Sequence, residues 1–334
     1  MTVKARLELE ERARLSPRAA LSEASAGRDM PISPDDMRTE FQRDRDRILH
    51  SKSFRRLKDK TQMIVIPQGD HYRTRLTHTL EVAQVARVIA RALRLNEDLT
   101  EAIAYGHDLG HTPFGHMGER TLDRVYPPGF RHNEQSLRAV ELLERDGAGL
   151  NLTRETRGGI LCHSGECLPQ TLEGWCVRFA DRIAYVNHDI DDSIRAGLLK
   201  QSDLPRGLVE ALGVSHGERI ARMVGDVVHE SDDQPALRMS PEIQEASDAL
   251  RSFLFERVYR AEWATREEAK IDGLMESLYR RFTAEPGLLP AEFHARALYE
   301  TAERSTVDYL AGMTDRFALD RYRRLFMPSV NRFP

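Results

Sequence analysis

From Arg38 to about residue 326 the apolar residues recur at helical spacing with almost no interruption. A chain patterned this way buries its stripes by packing helices on helices, so the expected fold class is all-α. Thr79 to Leu93 sets Leu80, Ala83, Ala86, Ile89 and Ala90 on one stripe. A second helix is expected from about Asp98, with Glu101 as its N-terminal signal, ending near Gly106 to Gly110. Pro127, Pro128 and Gly129 interrupt the chain before a helix over about 133–145, and a long helix is predicted over Thr171–Ala196. Further helices are expected at about 205–212, 216–230, 241–260, 266–283 and 291–326. The one candidate β element is a small hairpin, Gln62 to Ile66 with Tyr72 to Arg75, across the turn-forming Pro67-Gln68-Gly69-Asp70. Residues 1–36 read as a flexible arm, since Ser22 to Pro34 is rich in small residues and proline and has little to bury.

Composition narrows the function. A net charge of −4 argues against a bulk nucleic-acid binder, so any polyanion site is local. The cysteines Cys162, Cys167 and Cys176 fall in no paired CxxC spacing and are expected as free thiols in a reducing compartment. The first thirty residues carry Glu8, Glu10, Glu11, Arg12 and Arg14 where a secretory leader would be apolar. No apolar run approaches the roughly 20 residues that span a bilayer. The expectation is a soluble, cytoplasmic chain with no membrane partner.

Four of the twelve histidines fall in or beside His107-Asp108-Leu109-Gly110-His111 and His116, or precede it at His78. Neighbours on a regular helix diverge by about 100°, so an adjacent His-Asp pair can converge on one ion only where a helix ends, and Gly106 and Gly110 offer such freedom. His78 near the start of one predicted helix and Asp181 inside another complete a set of two imidazoles and two carboxylates. That set suits Mn, Fe, Ni or Zn better than Mg or Ca, which favour oxygen shells. Asp181, Tyr185 and Asp189 recur every fourth residue and share a helix face, with Val177, Ile183, Ala184 and Val186 on the flanks. Two carboxylates and a phenol facing inward would need a metal or ligand partner. Alternatively the acidic stripe, continued by Asp191 and Asp192, faces water.

The residues His78, His107-Asp108 and Asp181 resemble the H…HD…D pattern of the HD superfamily of metal-dependent phosphohydrolases. The run His107-Asp-Leu-Gly-His-Thr-Pro-Phe-Gly-His-Met-Gly-Glu119 is similar to the deoxyguanosine triphosphate triphosphohydrolase family. So are Phe54-Arg-Arg-Leu-Lys-Asp-Lys-Thr-Gln62, Arg73-Thr-Arg-Leu-Thr-His78, His132-Asn-Glu-Gln135 and Phe179-Ala-Asp-Arg-Ile-Ala-Tyr185. Ala311-Gly-Met-Thr-Asp-Arg-Phe-Ala318 and Tyr322-Arg-Arg-Leu-Phe326 look like its bacterial short form. The resemblance runs from about residue 37 to 327. It implies an HD catalytic core over 37–200, with residues 201–334 as a C-terminal helical part packed on it.

The resemblance also implies roles. His78, His107, Asp108 and Asp181 would hold a divalent ion, Mn favoured over Fe, Ni, Mg or Zn. His116 would be the catalytic histidine and Glu119 the acid that orients it. Arg75 and Arg182 would contact triphosphate oxygens, with His111 and His132 lining the phosphate side. Tyr185 would pack under the deoxyribose at C2′, and Gln62 with Asp189 would bond the 3′-hydroxyl. The expected reaction cleaves a deoxynucleoside triphosphate into deoxynucleoside and inorganic triphosphate, in a homo-oligomer, with single-stranded nucleic acid as a possible further partner. The basic run Arg43, Arg45, Arg47, Lys52, Arg55, Arg56, Lys58 and Lys60 is read mainly as a solvated face or subunit contact. The alternatives are another HD enzyme, a nucleotidase, phosphodiesterase or alarmone hydrolase, which would not need Gln62, Tyr185 and Asp189, or a nucleotide- or nucleic-acid-sensing module.

Overall fold

The computed structural model describes residues 1–63 and 72–328. The first half contains α1 (Val3–Arg14), α2 (Glu40–Leu49), α3 (Lys52–Arg56), α4 (Arg75–Ala92), α5 (Glu97–Gly106), α6 (Gly115–Val125), α7 (His132–Arg138), α8 (Arg154–Cys162) and α9 (Leu172–Arg195). The second contains α10 (Arg206–Leu212), α11 (His216–Ser231), α12 (Pro241–Leu254), α13 (Glu262–Ala284), α14 (Ala291–Tyr299), α15 (Ala302–Ala311) and α16 (Asp315–Phe326). No strand occurs among the described residues, and the fold is all-α. The hairpin expected over 62–75 lies largely outside the described residues; at its base Thr61 and Thr74 form an isolated antiparallel bridge.

The helices that carry the site begin at side-chain caps: Thr74 for α4, Asn96 for α5 and Thr171 for α9. The start of α5 is thus signalled by Asn96, ahead of the expected Asp98. Helices α4, α5 and α9 pack on one another around Ala83, Ala86, Ile89, Ile103, Val177, Ala180 and Ile183, and the same apolar cluster continues into α11 and α12. Leu80 departs from its predicted stripe and is 44% exposed. A second cluster joins α6 to α13, α15 and α16 through Leu122, Met275, Leu278 and Leu310.

Several expectations are corrected. The helix predicted over 291–326 is three helices, because Thr301 and Thr314 each turn extended and cap a new N-terminus. Residues 255–259, expected as the end of one α-helix, form a π turn. The N-terminal residues are not an unanchored arm. Helix α1 forms, and beyond it Arg28 is buried against Asp44 and Glu40, while the Ala20 amide donates to Glu173 at 3.0 Å. Cys162 and Cys167 are paired in a disulfide, their Cα atoms 4.8 Å apart; only Cys176 is a free thiol, and it is buried. The spacing gave no cue because the turn after α8 brings the two together. Gly110 serves close packing instead of backbone freedom: a Cβ there would stand 2.1 Å from the Ser136 amide nitrogen.

Half of the basic run is ion-paired within the chain: Arg43 with Asp35 and Glu40, Arg45 with Asp98 and Glu101, Lys52 with Asp146 and Lys58 with Asp59, while Arg47 donates to the Leu150 carbonyl. No helix of the described residues is long and apolar enough to cross a membrane.

Candidate active site

Helix α4 carries Arg75 and His78, α5 runs out into His107 and Asp108, and α9 crosses both with Asp181 at its middle. His78 Nε2 lies 3.1 Å from Asp181 Oδ1. His107 Nε2 lies 3.4 Å from Asp108 Oδ1 and 3.8 Å from Asp181 Oδ1. His107 Nδ1 donates to the Ala104 carbonyl at 2.6 Å, which turns Nε2 to the cluster. That buried nitrogen has no hydrogen-bond partner among the described residues. His78 also turns Nε2 to the cluster, where it bonds Asp181, its Nδ1 being 3.3 Å from His188 Nδ1. The donor set therefore fits a divalent ion, and the ligand atoms of His78, His107 and Asp108 lie within 4.8 Å of one another. Burial alone would raise the Asp108 carboxyl, but the charges of His107, His111, Arg75 and His78 hold it well below the usual range. Burial also opposes ionisation of Asp181, and its hydrogen bond from His78 with the charge of His107 again wins.

Beside this cluster opens a cavity of about 440 Å³. Arg75, fully buried, donates from one Nη to Asp108 Oδ2 at 2.7 Å, while its Nε and other Nη have no partner among the described residues. His111, His116 and His132 line the wall at α6 and α7, Gln62 and Arg75 face it from the chain leading into α4, and exposed Arg182, Tyr185 and Asp189 line a further side from α9. The inward reading of the α9 stripe is correct: Asp189 is 5% exposed, and burial pushes its carboxyl up to about 7. Burial likewise pushes the Tyr185 phenol up to about 12.

Although Pro113 and Gly115 predict a loop around it, His116 sits in the first turn of α6. Its Nδ1 is 3.1 Å from Glu119 Oε2 and its side chain is 63% exposed, so Nε2 remains available. Glu119 serves two imidazoles, since Oε1 also accepts from His132 Nδ1 at 2.8 Å. His163 turns Nε2 to His132 Nε2, 3.2 Å away, its Nδ1 donating to the Ile160 carbonyl, and Ser164 Oγ lies 3.3 Å from the same His132 nitrogen. A proton on both nitrogens would make His132 an imidazolium. Burial opposes that charge, but Glu119 raises its pKa above the ordinary value. Glu119 is correspondingly held well below the carboxylate range, against burial, chiefly by His132 and His116. His111 stacks on His132 with ring centroids 4.0 Å apart and lies 3.3 Å from Asp108 Oδ1.

Sequence reasoning missed two groups. His163, Ser164 and Gly165 line the cavity from the turn after α8, which Arg178 holds by donating to the carbonyls of Cys162, Gly165 and Cys167. A census of histidines near the others in space, unavailable from spacing, would have found His163. Arg251, Phe255 and Tyr259 enter from α12 and its π turn, and the Tyr259 hydroxyl donates to Asp189. A π turn extends the register by one residue per turn, and no sequence signal marked it.

The sequence has counterparts among known proteins. The HD domain family model matches residues 75–186, and the phosphohydrolase-associated domain matches residues 237–324. A deoxyguanosinetriphosphate triphosphohydrolase-like protein of Caldanaerobacter subterraneus subsp. tengcongensis is 57% identical over 315 residues, covering 94% of this chain and 93% of the relative. Proteins of the same name from Clostridium perfringens and Geobacter sulfurreducens are 47% and 40% identical, covering 98% and 95% of this chain and 98% and 96% of their own lengths. With a histidine and aspartate cluster at the junction of α4, α5 and α9, and relatives matched end to end, the chain belongs to the deoxyguanosinetriphosphate triphosphohydrolase-like family of HD-domain phosphohydrolases.

Proposed function

We propose that this hydrolase cleaves deoxynucleoside triphosphates into deoxynucleoside and inorganic triphosphate. The observation that carries the reading is one cavity lined by Arg75, two of whose nitrogens have no partner among the described residues, together with His78, Asp108 and Asp181 of the cluster and with Tyr185 and Asp189. The names of the relatives support the same class of substrate. The cluster would hold the divalent ion, with Mn favoured. Such an ion supplies Lewis acidity, lowering the pKa of a water and drawing charge from the α-phosphate. Arg75 and Arg182 grip the triphosphate oxygens, and the His132 imidazolium with His111 adds donors on the phosphate side. Hydroxide, formed as a water gives a proton to solvent, bonds to the α-phosphorus as the bond to the 5′-oxygen breaks. His116 Nε2 delivers the proton to that departing oxygen, while Glu119 orients its ring. Tyr185 packs against the sugar at C2′, and Asp189 with Gln62 bonds the 3′-hydroxyl. The working form is a homo-oligomer, which light scattering with and without nucleotide tests.

The test of the reaction is turnover of each deoxynucleotide, alone and mixed, with several divalent metals and with phosphate products resolved. Intact triphosphate is expected; orthophosphate or pyrophosphate as the first product returns the choice to another HD activity. His116→Ala should retain metal and nucleotide binding yet lose turnover by at least about 10²-fold.

A further inference from the structure

The segment Ala311-Gly-Met-Thr-Asp-Arg carries no group that reaches the cavity, yet its Asp315 touches the backbone on two of the cavity's walls. We propose that Asp315 is a positioning residue that sets the placement of His116 relative to Gln62, an inference that rests on the catalytic role assigned to His116 above.

Asp315 opens α16 and is 4% exposed. Its Oδ1 accepts from the Phe114 amide at 2.9 Å, two residues before His116. Its Oδ2 accepts from the Thr61 amide at 3.0 Å and from the Thr61 hydroxyl, one residue before Gln62. One carboxylate thus ties together the backbone entering the catalytic helix and the backbone entering the sugar-side residue.

The tie falls where the chain needs it. Phe114 has φ 62° and ψ 23°, and Gly115 follows with φ 56°. A left-handed phenylalanine is strained and persists only where its surroundings impose it. Phe114 offers α6 no side-chain cap. At Gly115 a Cβ would stand 3.1 Å from the Arg75 guanidinium and 3.3 Å from the Gln62 carbonyl oxygen, so this turn is pressed directly on the opposite wall. Lys60 fastens the same two regions one step earlier, donating to the carbonyls of His111 and Ala311. The His116 side chain itself is largely exposed and bonds only Glu119 among the described residues, so its aim is inherited from the backbone that Asp315 holds.

Asp315→Asn keeps the volume but replaces one acceptor oxygen by a donor, so it loses one of the two ties. A displacement of His116 by about 1 Å predicts a fall in kcat of roughly 10- to 100-fold. Metal content should stay within about threefold, since the cluster is not touched, and a double-mutant cycle with His116→Ala separates an effect through His116 from one through Gln62. Acting through His116, Asp315→Asn should change the residual rate of the His116→Ala enzyme by less than about twofold. An equal fall in both backgrounds would make Asp315 a general structural residue and overturn the proposal, as would an unchanged kcat in the wild-type background. Full activity of His116→Ala alone would overturn the role of His116 and this inference with it. If Asp315→Asn gives no cooperative thermal melt, Asp315→Glu, which keeps both acceptors on a longer stem, runs the same cycle with a smaller expected loss and the same outcomes.

Discussion

Replacing Arg75 by Gln tests whether the cavity is prearranged for a polyanion. The guanidinium is 1% exposed and spends one Nη on Asp108 at 2.7 Å, leaving Nε and the other Nη without partners among the described residues. Both donors line the cavity, so an incoming phosphate oxygen gives them a charged partner in place of water. Even one such charge-assisted hydrogen bond is worth about 1.5–3 kcal/mol, which converts to a roughly 10- to 160-fold loss of affinity when the group is removed. Arg75→Lys keeps the charge without the fork and should fall between wild type and Arg75→Gln. Titration calorimetry with inorganic triphosphate at a fixed metal concentration measures the loss, and elemental analysis checks that Asp108 still serves the cluster. A metal-replete Arg75→Gln protein that binds triphosphate within twofold of wild type would refute the reasoning.

Other outcomes follow from the same geometry. Asp181→Ala should lose most bound metal and turnover while melting cooperatively; full occupancy by elemental analysis would remove Asp181 from the ligand set. Tyr185→Ala should narrow the deoxy-to-ribo ratio of kcat/KM, and Asp189→Ala the deoxy-to-dideoxy ratio, each by roughly 5- to 150-fold for about 1–3 kcal/mol of unsatisfied hydroxyl or carboxylate. Equal wild-type turnover of dATP and ATP would contradict the sugar site. Glu173 is fully buried, and burial raises its carboxyl from 4.5 to about 7. Its folded pKa is raised, so the stability it contributes is present below about pH 4.5 and is lost as pH rises through 7. The loss is on the order of 3 kcal/mol. Glu173→Gln should therefore gain stability relative to wild type on going from pH 5 to pH 8 in urea melts, and an unchanged difference between the two proteins would show that Glu173 is not the titrating group.

What could be read in one dimension is what depends on residues near one another in the chain. Helices are periodic, so their stripes announce the all-α fold and place most of α4, α5 and α9. The pairing of Asp181, Tyr185 and Asp189 follows from one turn per 3.6 residues, and His116 with Glu119 from the same rule. The burial of that α9 stripe was not legible, because the same spacing serves a face turned to water; α4 and α5 packing across it decides the matter.

The helical class, the residue types for a divalent ion and the motif order from Phe54 to Phe326 were all legible in the residues. Which groups meet across long separations came from the fold. It drew Glu173 to the Ala20 amide, Arg28 to Asp44, Tyr259 to Asp189 and Asp315 to Phe114. It also split the 291–326 stretch into three helices and put His163 against His132. The physical reason is common to all of these: a buried polar group must find a partner, and the partner is chosen by packing, which carries no periodicity along the chain.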